Sequence, residues 1–232
     1  MSKKVFTTRF LVMAVSLIVC LITSNFFVPR LWQVAGLPLQ LSGAVLLFPV
    51  SYILNDCITE VYGYRKARFV IWLAFLLSFF VAMMAQLICW LPAPLQDGSK
   101  PVAESFNSLF SMVPKTTAVS LIAFFCGSTV NAWIMSRMKV ASHGKGFAVR
   151  AILSSLGGEL ADSVIFFPIV FTGVMPLGAV LQLAVTQVCA KVLYEIIVLP
   201  VTTWFVRRVK AVEEIDTYDE HISYNPFRIK DI

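Results

Sequence analysis

The chain has 232 residues, of which 58% are hydrophobic and only 14% charged, and its formal net charge is +6. A soluble domain is about 45–50% apolar and about 25% charged. The surplus here sits in long runs, which excludes an ordinary soluble core and indicates membrane spans. The basic residues punctuate the apolar runs instead of gathering on a soluble face, which excludes a nucleic-acid-binding module.

Six spans are expected, at about 10–28, 41–60, 69–91, 116–136, 151–174 and 178–206. Each is close to the ~20 residues that cross ~30 Å of hydrocarbon. Without water to satisfy the backbone, a helix is the natural form for such runs. The fold class is therefore an all-α polytopic membrane protein with one six-helix domain over 1–210 and a tail over 211–232. The first run follows Lys3, Lys4 and Arg9 but is longer than a signal-peptide core and has no small-residue cleavage site after it. It is read as a retained helix.

Lys and Arg placement sets the orientation. Lys3, Lys4 and Arg9, then Arg65, Lys66 and Arg68, then Arg137, Lys139, Lys145 and Arg150, then Arg207, Arg208, Lys210, Arg228 and Lys230 fall on one side. Arg30, Lys100 and Lys115 fall on the other. The positive-inside rule puts both termini in the cytoplasm, and an even number of spans is needed to keep this alternation.

Pro92, Pro94, Pro101 and Pro114 mark the longest external connection, 92–115, which reads as an ordered loop; 106–112 is the segment that could form a short interfacial helix or lid. The tail carries Glu213, Glu214, Asp216, Asp219 and Glu220 and reads as a solvated extension. Cys20, Cys57, Cys89, Cys126 and Cys189 lack metal-type spacing and read as small buried hydrophobes. No GxxxxGK loop occurs, so the chain carries no ATPase of its own.

Six ionisable residues interrupt the apolar runs: Asp56, Glu60, Glu159, Asp162, Lys191 and Glu195. A charge at the bilayer centre costs about 3 kcal/mol on insertion scales, so each needs a partner, water or a function. At ~1.5 Å per residue, Asp56 lies about 14 Å in from Arg65, Glu159 about 14 Å from Arg150, and Asp162 about 18 Å from it. Glu195 lies about 18 Å and Lys191 about 24 Å in from Arg207. Those five share one slab, whereas Glu60 is shallower and could pair with Arg65 or Arg68. Five acids and one base leave a formal −4 that internal pairing cannot settle. Lys191 and Glu195, four apart, could pair within their helix, although Lys before Glu is the weaker order.

Asn25, Asn55 and Asn131 add amides that donate and accept, and Gln187 extends the Lys191 stripe by a turn. Phe48, Tyr52, Trp133, Phe166, Phe167 and Tyr194 could stack on a flat ligand or simply fill space. Gly157 and Gly158 would let a neighbouring helix approach closely. Pro49, Pro168 and Pro200 lie within spans. The spacings of Pro49 to Asp56 and Asp162 to Pro168 hint at a 3+3 inverted repeat. His143 and His221 lie outside the spans, so a buried metal or Ser-His site has no support, and no cofactor and no enzyme activity are expected.

The run Asn55-Asp56-Cys57-Ile58-Thr59-Glu60-Val61-Tyr62-Gly63-Tyr64-Arg65-Lys66-Ala67-Arg68 resembles the signature of the queuosine precursor transporters, also catalogued as vitamin uptake transporters. Gly158-Glu159-Leu160-Ala161-Asp162-Ser163 and Lys191-Val192-Leu193-Tyr194-Glu195 resemble that family's fifth- and sixth-helix motifs. The resemblance covers about 10–210. It implies a bacterial inner-membrane importer of 7-deazaguanines such as 7-cyano-7-deazaguanine, the precursors of queuosine in tRNA. On that reading Asp162, Glu159, Lys191, Glu195, Asp56, Asn55, Gln187 and Asn131 are the candidate solute-binding residues, and Asp56 and Glu60 the candidates for proton or charge coupling. Another flat vitamin or nucleobase, or a membrane subunit that borrows an ATPase, are the alternatives. Six helices around one site are few, which suits a homodimer.

Overall fold

The computed structural model describes residues 7–28, 30–33, 40–92, 100–111, 113–171, 173, 176–220 and 222–228. The order is α1 (Thr8–Phe27), β1 (Leu31–Gln33), β2 (Gln40–Ser42), a 3-10 turn (Gly43–Leu46), α2 (Phe48–Tyr62), α3 (Tyr64–Trp90), α4 (Lys100–Ser111), α5 (Val113–Ala141), α6 (Phe147–Phe171) and α7 (Leu177–Glu213). Among the described residues, six helical segments are long and apolar enough to cross a membrane: Thr8–Phe27, Gly43–Tyr62, Tyr64–Trp90, Ala118–Ala141, Phe147–Phe171 and Leu177–Glu213. An all-α polytopic membrane architecture follows.

Burial on these helices reflects two solvents. On α1, Phe10, Met13, Ala14, Leu17, Ile18 and Leu21 recur every three to four residues and are buried, while Leu11, Val12, Val15 and Val19 are exposed. The exposed faces of α3 (Leu76, Phe79, Phe80, Met83, Leu87) and α7 (Leu181, Val185, Ile197, Val201) are equally apolar. Soluble monomers rarely expose apolar patches of this extent, and lipid is the solvent they suit. The bundle centre belongs to α2, whose residues from Ile58 to Tyr62 are all buried, polar ones included.

Several boundaries differ from the sequence reading. The antiparallel pair β1–β2, in which Trp32 faces Leu41, precedes the second span, which starts with a 3-10 turn before α2. Pro49 therefore stands in the first turn of α2 and breaks nothing. A proline is well placed there, because its missing N–H has no intrahelical acceptor. That removes Pro49 as a mid-helix counterpart of Pro168, which does lie inside α6, as Pro200 lies inside α7. The expected external loop likewise contains α4, with Pro101 as its second residue. Phe106 stacks on Phe110 at 4.3 Å, and Phe110 meets Phe26 of α1 edge-on at 5.7 Å.

Two close approaches fix the frame. Gly63, at φ 85°, is the one-residue joint between α2 and α3. Its conformation is one that β-carbon-bearing residues resist. At the crossing of α5 and α6, a Cβ on Gly158 would lie 2.8 Å from the Gly127 carbonyl oxygen, and one on Gly127 would lie 2.8 Å from the Gly158 carbonyl oxygen. The close approach expected at Gly158 is thus made by α5.

The tail is only in part the solvated extension that its acidic composition suggested: Glu214, Asp216 and Glu220 are exposed, but other residues dock on the bundle. Asp219 is buried, and its Oδ2 accepts the Tyr64 N–H at 2.8 Å and the Ser136 hydroxyl at 2.6 Å. The Arg68 guanidinium donates to the Ser223 and Asn225 carbonyls at 3.2 and 2.8 Å, and the Trp72 indole donates to the Pro226 carbonyl at 2.7 Å. The composition is acidic, but the end of the bundle it meets is rich in Lys, Arg and free helix-end donors, so docking satisfies both.

Candidate functional site

The polar residues of α2, α5, α6 and α7 meet inside the bundle in three tiers. On α2, Phe48, Tyr52, Asp56 and Glu60 follow at intervals of four, which places them on one stripe about 6 Å apart along the axis. On α6, Arg150, Ser154, Gly158 and Asp162 keep the same interval, so the two stripes face each other rung by rung.

The tier farthest from the chain termini is an ion-paired triad. Lys191 Nζ of α7 lies 2.5 Å from Glu159 Oε2 and 3.6 Å from Asp162 Oδ2, both on α6. Glu159 and Asp162 are three apart and both buried. Phe48 of α2 lies under the ammonium, with Nζ 4.1 Å from the ring centroid. Tyr52 is buried beside this tier at the Gly127–Gly158 crossing. Gln187 is buried one turn along α7 from Lys191. Lys191 thus pairs across to α6 and not within its own helix to Glu195.

The middle tier is built on Asp56, which is completely buried. Its carboxylate accepts from Asn131 Nδ2 of α5 at 2.9 Å and from the hydroxyls of Ser154 and Ser155 of α6 at 3.2 and 3.3 Å. Asn55 Nδ2 donates to Asn131 Oδ1 at 2.6 Å, which fixes the Asn131 amide with its nitrogen toward Asp56. Glu195 of α7 is buried one turn from Lys191, level with Ser155, which is one turn from Glu159 on α6. Asn25, by contrast, accepts from Ser120 at 3.2 Å and stands outside this network.

The third tier, at the end carrying both termini, centres on Glu60. Its Oε1 takes Arg150 Nη2 at 2.7 Å and Lys210 Nζ at 2.7 Å, with Lys139 Nζ at 4.0 Å. Of Arg65 and Arg68, the neighbours expected to pair with Glu60, Arg68 holds the tail. They lie beyond the Gly63 joint, on α3, where the helix turns away. Lys139 also reaches the Glu60 carbonyl, Asp216 Oδ1 and the Thr217 carbonyl. Lys210 bridges Glu60 to Asp216 at 2.8 Å. Burial raises the Asp216 carboxyl, but hydrogen bonds and charge from Lys139 and Lys210 outweigh it and hold Asp216 below its ordinary value.

Sequence reasoning overlooked Ser154 and Ser155 as ligands of Asp56, Arg150 as a buried partner, and Asp216. Of the aromatics it considered, Trp133 is exposed, while Phe166 and Phe167 form a separate ring cluster with Phe171. Phe48 and Tyr52 remain beside the triad. Among the described residues there is no group of three or more His, Cys, Asp or Glu that could hold a metal.

A bundle of lipid-facing helices around a stack of buried, partly paired charges defines a polytopic membrane protein with a polar interior. The family model described as "Putative vitamin uptake transporter" matches residues 42–205, more than half of the chain, and the chain belongs to that family. It is also 22% identical over 180 residues to the "Probable queuosine precursor transporter" of Bacillus subtilis (strain 168), a match that covers 77% of this chain and 76% of that protein. No solved structure gives a significant match.

Proposed function

We propose that this transporter imports 7-deazaguanine precursors of queuosine, such as 7-cyano-7-deazaguanine, across a bacterial inner membrane, with both termini in the cytoplasm. The observation that carries this reading is the Glu159–Asp162–Lys191 triad. Two buried carboxylates share one ammonium, so one acid remains in excess at a depth where charge is costly. A guanine-like edge presents adjacent N–H donors that a carboxylate accepts side by side. Asp162, at the longer 3.6 Å from Lys191, is the acceptor for that edge. Lys191 donates to the ring carbonyl, and Phe48 and Tyr52 supply flat apolar walls. The likeness to the Bacillus subtilis protein supports the choice of solute, and the positive side of the helix bundle supports the orientation.

The deciding experiment expresses the chain in cells that can neither make nor import the precursor, and feeds 7-cyano-7-deazaguanine at low concentration. Queuosine returns to tRNA if the reading holds. Well-expressed protein without restored queuosine would overturn it.

A further inference from the structure

Between two ion-paired tiers lies one that contains acids and no base. Asp56 receives three neutral donors, from Asn131, Ser154 and Ser155. Glu195, buried one turn from Lys191 on α7, stands level with Ser155, which is one turn from Glu159 on α6 and donates to Asp56. Among the described residues no ion pair joins either carboxylate to a Lys or Arg.

The cations nearby are already engaged. Toward the termini, Arg150 of α6, Lys210 of α7 and Lys139 of α5 hold Glu60 of α2 and Asp216 of the tail. In the other direction Lys191 of α7 holds Glu159 and Asp162 of α6. Cys57 is the other ionisable group beside Asp56 on α2, and Tyr52 lies a turn further. Two carboxylates face to face, sealed from water and without a cation, cannot both carry charge at tolerable cost. One proton held between an oxygen of each resolves the conflict, as in other carboxylate dyads. Three fixed neutral donors then serve the oxygens that do not carry it.

We propose that Asp56 and Glu195 form a single-proton site that couples solute entry to proton entry, distinct from the solute site one tier away. The proposal rests on the import reading above. In the cycle the dyad goes from −2 to −1 on taking a proton from the outer phase. It returns to −2 only when the Glu60 tier opens, water reaches both carboxylates and the proton leaves inward. With a neutral solute, one positive charge enters per turnover, and transport is electrogenic.

The test uses the full chain in liposomes. Labelled 7-cyano-7-deazaguanine is followed both in counterflow, with no ion gradient, and in net uptake under an imposed pH gradient. Wild type should accumulate solute when the outside is more acid, at least several-fold over the same vesicles with a proton uncoupler. Glu195→Gln should lose that several-fold accumulation over the uncoupler control. Counterflow with accumulation indifferent to the pH gradient, or driven by a sodium gradient instead, would overturn the proposal. Absence of wild-type counterflow would count against the solute reading alone. The dyad would then be judged without solute, by the carbonyl-stretch infrared band of a protonated carboxyl in wild type. That band should persist at neutral pH and vanish in Asp56→Asn; no such band in wild type would overturn the single-proton site.

Discussion

Asp219 caps a helix that begins 155 residues earlier in the chain: its Oδ2 accepts the Tyr64 N–H at 2.8 Å. The first turn of α3 has no cap of its own, because Gly63 offers no side chain. The same oxygen takes the Ser136 hydroxyl of α5 at 2.6 Å, so one tail residue ties α3 to α5. Asp219→Ala should therefore destabilise the whole bundle by about 1–3 kcal/mol, the cost of a lost cap and a lost buried hydrogen bond. A lowered melting temperature of detergent-purified protein is the expected reading. An unchanged melting curve would mean that the tail docks without supporting the helices.

Asp216 makes the same docking sensitive to acid. Its carboxyl is held below its ordinary value, so its contribution is complete above the unfolded-chain value of about 3.9 and fades as pH falls through the lower, folded one. At neutral pH, Asp216→Asn should speed hydrogen exchange of residues 214–228, corrected for intrinsic rates. In strong acid wild type and variant should converge, because the wild-type carboxyl is then neutral as well.

Glu60 and Arg150 are each about 1% exposed, and their contact at 2.7 Å is sealed inside four helices. Removing one partner of such a pair costs about 3–5 kcal/mol, because the other is left charged and buried. Glu60→Gln leaves the buried Arg150 without its carboxylate, while Lys210 keeps Asp216, and should sharply reduce folded yield. Combining it with Arg150→Gln should recover part of the loss. A double-mutant cycle on thermal stability reads the coupling, and strictly additive losses would mean that water reaches this tier.

Glycine tests the frame independently of charge. A Cβ on Gly158 would sit 2.8 Å from Gly127 O, from Asn131 Cβ and from Tyr52 Cε1. Gly158→Ala should cost about 1–3 kcal/mol as α5 and α6 are forced apart. Gly178 on α7 meets nothing within 4 Å, so Gly178→Ala is the matched control and should be neutral or mildly stabilising. Equal effects at the two positions would argue against a close crossing at Gly158.

These cases also show what the sequence made readable. The six spans followed from hydropathy, and the small pair at Gly157 and Gly158 pointed to a close helix approach, because both are properties of one segment. Positions that depend on distant partners were not readable. Ser154 and Ser155 look like any small helix residues until Asp56 lies opposite. Arg150 looks like a flanking charge until α2 brings Glu60 to it. The acidic tail looks solvated until the basic ends of α5 and α7 receive it. Pro49 and Pro101 were misleading for a local reason: a proline in the first turn starts a helix, whereas the same residue further in breaks one.

The triad offers the sharpest division between holding the bundle and holding a solute. Glu159 lies 2.5 Å from Lys191, with its hydrogen bond formed, while Asp162 stands off at 3.6 Å. Glu159→Gln removes the closer charge and should mainly lower stability, because Lys191 then has only the looser partner. Asp162→Asn leaves the Glu159–Lys191 pair intact and replaces an acceptor-only group with one that also donates. It should keep its melting temperature yet bind the 7-deazaguanine about 10–100-fold more weakly, the equivalent of one charge-assisted hydrogen bond of about 1.5–3 kcal/mol. Solute binding by isothermal titration, set beside melting curves for both variants, separates the two roles. If Asp162→Asn loses stability and not affinity, Asp162 is structural and the solute edge must be received elsewhere in the stack.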